Sequence, residues 1–104
     1  VVAESGLGVG EEPLRNRWTF LTNHAHVLVW ISNHPQSRVR DIAGSVGITE
    51  RAAQSILKDL EQDGYVTKQR VGRRNTYTVH PELPLRHPIE AHHAVGDLLR
   101  VFRT

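Results

Sequence analysis

The stretch GITERAAQSILKDLEQDGYVTKQRVGRRNTYTV, Gly47 to Val79, decides how this chain is read. In its first half Ala53, Ile56, Leu57 and Leu60 fall at i, i+3, i+4 and i+7, the spacing of one buried helical stripe. Thr49 is placed to cap that helix and Gly64 to stop it. The opposite arc carries Arg51, Gln54, Ser55, Lys58 and Gln62, with Glu50, Asp59 and Glu61 only at its flanks. After Gly64 the period changes to that of a strand. YVTKQRV and TYTVH are β-branched and aromatic runs, separated by Gly72, Arg73, Arg74 and Asn75. That pattern predicts a β-hairpin with a four-residue connection and a basic tip.

Upstream, Ser37 is placed to cap a short helix, Arg38 to Val46, with Val39, Ile42, Ala43 and Val46 on one face. Gly47 suits the left-handed turn that ends such a helix, and only Ile48 separates it from Thr49. Two helices joined so tightly predict a helix-turn-helix. An earlier helix is expected from its cap, Thr22, to about Asn33, with Pro35 ending it. Within it VLVWI (Val27 to Ile31) is apolar through more than a turn, so burial on more than one side is expected. A second subunit is the expected source of one of those surfaces. The segment before Trp18, residues 1–17, carries Gly6, Gly8, Gly10 and Pro13 and reads as a flexible arm.

Downstream of the hairpin, HPELPLRHP is expected to be an extended, proline-punctuated connector. Pro88 is placed as the first residue of a last helix bearing Ile89, Val95, Leu98, Leu99 and Phe102, a dimerisation helix. Helix, helix, turn, helix, hairpin is the order of a winged helix-turn-helix. The expected class is therefore α+β, mainly α, with a two-stranded wing and a C-terminal helix. The winged unit would span residues 18–80 and the connector with its helix residues 81–104. In this architecture the helix after the turn enters the DNA major groove, and the hairpin tip reaches toward phosphates or the minor groove. Guanidinium groups at the tip suit the negative potential of a narrow minor groove.

Composition narrows the chemistry. The 104 residues carry no cysteine, which excludes disulfides and thiolate metal sites. No apolar run approaches the ~18 residues that span a membrane, and no signal-peptide pattern opens the sequence. A cytoplasmic protein without membrane partners is the expectation. The formal charge is only +2, but Tyr65 to Pro81 contains no acid against Lys68, Arg70, Arg73 and Arg74. Such a stripe attracts polyanions, and eleven of the thirteen cations are arginine, which suits phosphate and guanine recognition. His92 and His93 diverge by ~100° on a helix, and His24 and His26 diverge further, so no metal site or cofactor is expected. No phosphate-cradling loop, nucleophile with a base, or paired carboxylates stand out, so an enzyme is not expected. Two other roles suit the same fold: a protein-docking winged helix, and sequence-neutral DNA compaction.

GITERAAQSILKDLEQDGYV followed by RVGRRNTYTV resembles the recognition helix and wing of small bacterial regulators of the MarR and ArsR type. RDIAGSVGIT is similar to the first half of their helix-turn-helix, and the likeness extends over about Trp18 to Val79. The resemblance implies a transcriptional regulator, a repressor, working as a homodimer on a pseudo-palindromic operator in double-stranded DNA. It places major-groove contacts on Thr49, Arg51, Gln54, Ser55 and Lys58, and backbone contacts on Ser37, Arg38 and Arg40. Wing contacts fall on Arg73 and Arg74, with Lys68, Arg70 and Asn75 beside them. The implied dimer surface draws on Val27, Trp30 and Ile31 of the first helix and on Ile89, Val95, Leu98, Leu99 and Phe102. The chain lacks the cysteines of many ArsR-type sensors, and its residues do not indicate a small-molecule effector, though they allow one.

Overall fold

The computed structural model describes residues 17–104. All of the expected N-terminal arm except Arg17 lies outside the described residues. The element order is α1 (Asn23–Asn33), α2 (Val39–Val46), α3 (Glu50–Gln62), β1 (Val66–Val71), β2 (Arg74–Val79) and α4 (Val95–Val101).

Local chemistry sets each boundary. The Thr22 and Thr49 hydroxyls accept from the Ala25 and Ala52 amides at 3.2 and 3.0 Å, capping α1 and α3. Gly47, at φ 87°, turns the chain out of α2, and the Ile48 amide returns to the Ala43 carbonyl at 3.0 Å. Gly64, at φ 85°, ends α3 in the same manner. There the Tyr65 amide reaches the Leu60 carbonyl and the Gly64 amide that of Glu61, a complete Schellman closure.

The core draws on every element. Val27, Leu28 and Ile31 of α1 pack with Ile42 and Ala43 of α2, the α3 stripe, Val66, Tyr77 and Val95. Helix α1 lies against α2, α3, β2 and α4. Val27, Leu28 and Ile31 of its VLVWI run are therefore buried within the chain, so no second subunit is needed to cover them, while Val29 and Trp30 stay half-buried. Strands β1 and β2 pair antiparallel from Val66↔Val79 to Val71↔Arg74. The hairpin connection is two residues, Gly72 and Arg73, rather than four, because Arg74 and Asn75 pair with Val71 and Arg70. Gly72 takes φ 64° while Arg73 stays in the ordinary region, matching a hairpin turn with glycine at its first central position.

The last segment departs furthest from expectation. Pro88 does not open a helix; α4 starts at Val95. Between them the chain makes two tight turns, with amide-to-carbonyl bonds from Glu90 to His87 and from His93 to Glu90. The connector is itself hydrogen-bonded: Leu85 to His93, Val95 to Leu83, and Gly96 to Pro81. Residues 81–96 thus form a strap folded back on itself. The Tyr65 hydroxyl donates to the Pro84 carbonyl and Arg86 pairs with Asp63, tying the strap to the end of α3.

Candidate nucleic-acid interface

Arg51, Gln54, Ser55 and Lys58 of α3 are all exposed. At ~100° per residue they occupy about 100° of arc, opposite the buried stripe. Thr49 stands at the same end, but its hydroxyl already accepts from the Ala52 amide, so its first duty is to the helix. Two acids at the C-terminal end of α3 are drawn aside, whereas Glu50 and Glu61 form no ion pair among the described residues. Asp59 meets the His24 Nε2 at 2.8 Å and Asp63 meets Arg86. Among the described residues, neither Arg51 nor Lys58 forms an ion pair, and the arc keeps its positive charge.

Helix α2 differs from its neighbours at its N-terminus. The cap position is Arg38, with no side-chain hydrogen bond into the first turn. The expected cap, Ser37, is half-buried and occupied otherwise: its hydroxyl donates to the His34 carbonyl at 2.9 Å and accepts from the Trp30 indole N–H at 3.0 Å. The first amides of α2 are left to solvent or to an anion, beside the exposed Arg38 and Arg40. Asp41 also lies in this first turn and opposes an anion in part.

In the wing, strand alternation sorts the expected contacts by face. Lys68, Arg70 and Asn75 share the face of the buried Val66 and Tyr77, at its outer, exposed end. Arg74 points to the other face, and Arg73 occupies the tip. The Arg70 Nε–H donates to the Gly72 carbonyl at 3.3 Å, fixing that side chain along the turn. None of the four cations forms an ion pair among the described residues. One contact that sequence patterns do not signal orients the wing: the Tyr77 amide donates to the Pro35 carbonyl at 2.9 Å, joining β2 to the loop before α2.

The residues expected at a dimer surface divide. Val27 and Ile31 have no exposed surface and Val95 has 3%, so these three serve the chain's own core and offer nothing to a partner. Trp30 is half-buried, with its ring stacked on His34 at 3.8 Å. Leu98 and Leu99 are half-buried, and Phe102 is exposed at the end of α4. Ile89 is exposed on the strap rather than on a helix. His92 and His93 also sit in the strap, where His93 bonds Asp97 at 3.3 Å. Among the described residues no three metal-ligating side chains gather, and no helix is long and apolar enough to cross a membrane.

Three helices, a glycine turn before the third, and a paired wing beside it define the winged helix-turn-helix class. The sequence profile of the MarR family matches residues 19–74, just over half the chain, and the chain belongs to that family. It is similar in structure to MepR, a transcription regulator of the Staphylococcus aureus multidrug efflux pump MepA. The TM-score is 0.51 at 15% identity, over 77% of this chain and 66% of MepR, a likeness of fold. No curated protein matches the chain.

Proposed function

We propose that this chain is a sequence-specific, DNA-binding transcriptional regulator, and more particularly a repressor acting as a homodimer on a pseudo-palindromic operator. One observation carries the reading. Among the described residues the exposed cations of α3, of the start of α2 and of the wing are without ion-pair partners, while Asp59 and Asp63 at the end of α3 are paired with His24 and Arg86. In this reading Arg51 and Gln54 meet base edges in the major groove, each bidentate contact contributing ~1–3 kcal/mol of discrimination. Ser55 and Lys58 lie beside them, with Thr49 at the helix start. Arg38 and Arg40 hold a phosphate at the uncapped end of α2, and Arg73 and Arg74 meet the minor groove. Ser37 then acts by positioning the start of α2, since its hydroxyl is already bonded on both sides. Repression suits the chain because occupying a promoter requires only binding. Family membership and the fold shared with a known transcription regulator support the same assignment.

Fluorescence anisotropy across a salt series tests this, comparing the DNA upstream of the protein's own gene with a shuffled duplex. Tight, steeply salt-dependent binding to the native duplex alone is the expected result for a self-regulating repressor. Equal binding to both would instead favour compaction. Failure on either duplex at low salt would turn the reading toward protein docking.

A further inference from the structure

The loop between α1 and α2 is a tight turn from His34 to Ser37, and one residue, Trp30, holds both of its ends. Pro35, at the second position, fixes the φ that a turn needs there, and the Ser37 amide closes the turn on the His34 carbonyl at 3.2 Å. At the near end the Trp30 ring stacks on that of His34, with centroids 3.8 Å apart and planes 17° from parallel. The Trp30 carbonyl also accepts the His34 amide at 2.8 Å. At the far end the indole N–H donates to the Ser37 hydroxyl at 3.0 Å. That hydroxyl donates in turn to the His34 carbonyl, so the two ends are cross-bonded. His34, Pro35 and Gln36 are exposed, and the turn therefore owes its shape to these bonds rather than to burial.

Two parts of the candidate interface start from this turn. Arg38 follows it directly and opens α2, its carbonyl accepting the Ile42 amide at 3.0 Å. The Pro35 carbonyl accepts the Tyr77 amide at 2.9 Å, so β2, whose other edge pairs with β1, is bonded to the turn as well. From Tyr77 to Arg74 at the tip is a strand length of ~10 Å, along which a displacement at Pro35 is carried. We propose that Trp30 is a positioning residue for DNA binding: through the His34–Ser37 turn, its indole N–H sets how the wing stands relative to the start of α2. Both must meet one duplex together, so loosening the turn weakens the contact that the wing adds. The DNA role rests on the reading proposed above; the hold on the wing does not.

Two variants cut the same bond from opposite sides. Trp30→Phe keeps a ring for His34 and removes the donor, whereas Ser37→Ala removes the acceptor and leaves the indole whole. In the full chain without DNA, either should speed hydrogen exchange at the Tyr77 amide by roughly tenfold and leave amides in the middle of α3 unchanged. On a duplex that the parent binds, each should weaken binding by roughly five- to tenfold, and that loss should overlap the loss from Arg73→Ala. Trp30→Phe combined with Arg73→Ala should then bind at least ~3-fold more tightly than the product of the two single losses allows. General destabilisation would let the losses multiply. Multiplying losses, or a Tyr77 amide that exchanges as in the parent, would overturn the proposal. So would a change in sedimentation with Trp30→Phe, which would make the ring a subunit contact. A parent chain that binds no duplex at low salt fails the DNA-binding reading itself and takes the DNA role of Trp30 with it, while faster exchange at Tyr77 would still uphold the hold on the wing.

Discussion

Ile31 has no exposed surface, so truncating it tests whether it belongs to the core or to a subunit contact. Ile31→Ala should cost about 2–5 kcal/mol by cavity formation, with a loss in Tm that does not vary with protein concentration. Concentration-dependent loss would return the residue to an interface. A second single-residue effect concerns pH. Burial raises the pKa of the Tyr77 phenol above 10.0; nearby Glu61 adds to the rise, and a hydrogen bond with Asn75 opposes it. The folded state thus holds this proton more tightly than the unfolded chain, so the associated stability is intact below pH 10.0 and is lost as pH climbs through the raised value. Tyr77→Phe should flatten the stability loss above pH 10.0 in denaturant melts. Asp97 has the opposite sign. Its hydrogen bond with His93, with Arg100 beside it, holds the carboxyl below its usual 3.8, so its contribution is present above that pH and fades below it.

At the scale of elements, the strap is the part whose form depends most on one close approach. Gly96 opens α4 against Pro81; a Cβ there would lie 2.9 Å from both the Pro81 Cβ and its carbonyl oxygen. Gly96→Ala should therefore cost ~1–3 kcal/mol by overpacking. Hydrogen exchange should rise at Leu85 and Val95 as the strap loosens. The wing and α3 divide the proposed DNA contact differently. Arg73→Ala should weaken binding to all duplexes alike and lower the salt slope by roughly one unit. Gln54→Ala should leave that slope almost unchanged and reduce preference among operators. A wing substitution that spares both affinity and slope would remove the wing from the interface.

For the molecule as a whole, the charge is arranged in two opposed regions. Cations without ion-pair partners among the described residues occupy the arc of α3, the start of α2 and the wing, and Asp59, Asp63 and Glu90 line a groove at the end of α3. The proposed homodimer must then use surface outside both. Val101 and Phe102, 73% and 41% exposed, form an apolar end of α4 suited to this, with Leu99 half-buried beside them. Val101→Glu should shift sedimentation at micromolar concentration from dimer to monomer, and the operator affinity should fall with it. A parent chain that sediments as a monomer would count against the dimer.

The sequence by itself determined the helices with strong local punctuation and the order in which they occur. Thr22, Thr49, Gly47 and Gly64 act within a few residues of themselves, and the apolar stripe of α3 repeats at short range. The exposed arc of Arg51, Gln54, Ser55 and Lys58 follows from that same stripe, so this part of the candidate interface was legible too. Only the tertiary structure decided what depended on distant partners. The apolar run of α1 has the same appearance in sequence whether its second cover is a subunit or the chain's own hairpin and α4. Pro88 is acceptable at a helix start, yet hydrogen bonds between Pro81–Leu85 and His93–Gly96 delay that helix to Val95. Ser37 has a capping side chain, but the indole of Trp30, seven residues away, claims it. The acidic groove draws its lining from positions between Phe20 and Leu98, and no local pattern brings such residues together. Short-range signals are set by backbone geometry and local capping, whereas these choices depend on which long-range contacts bury the most surface with their polar groups satisfied.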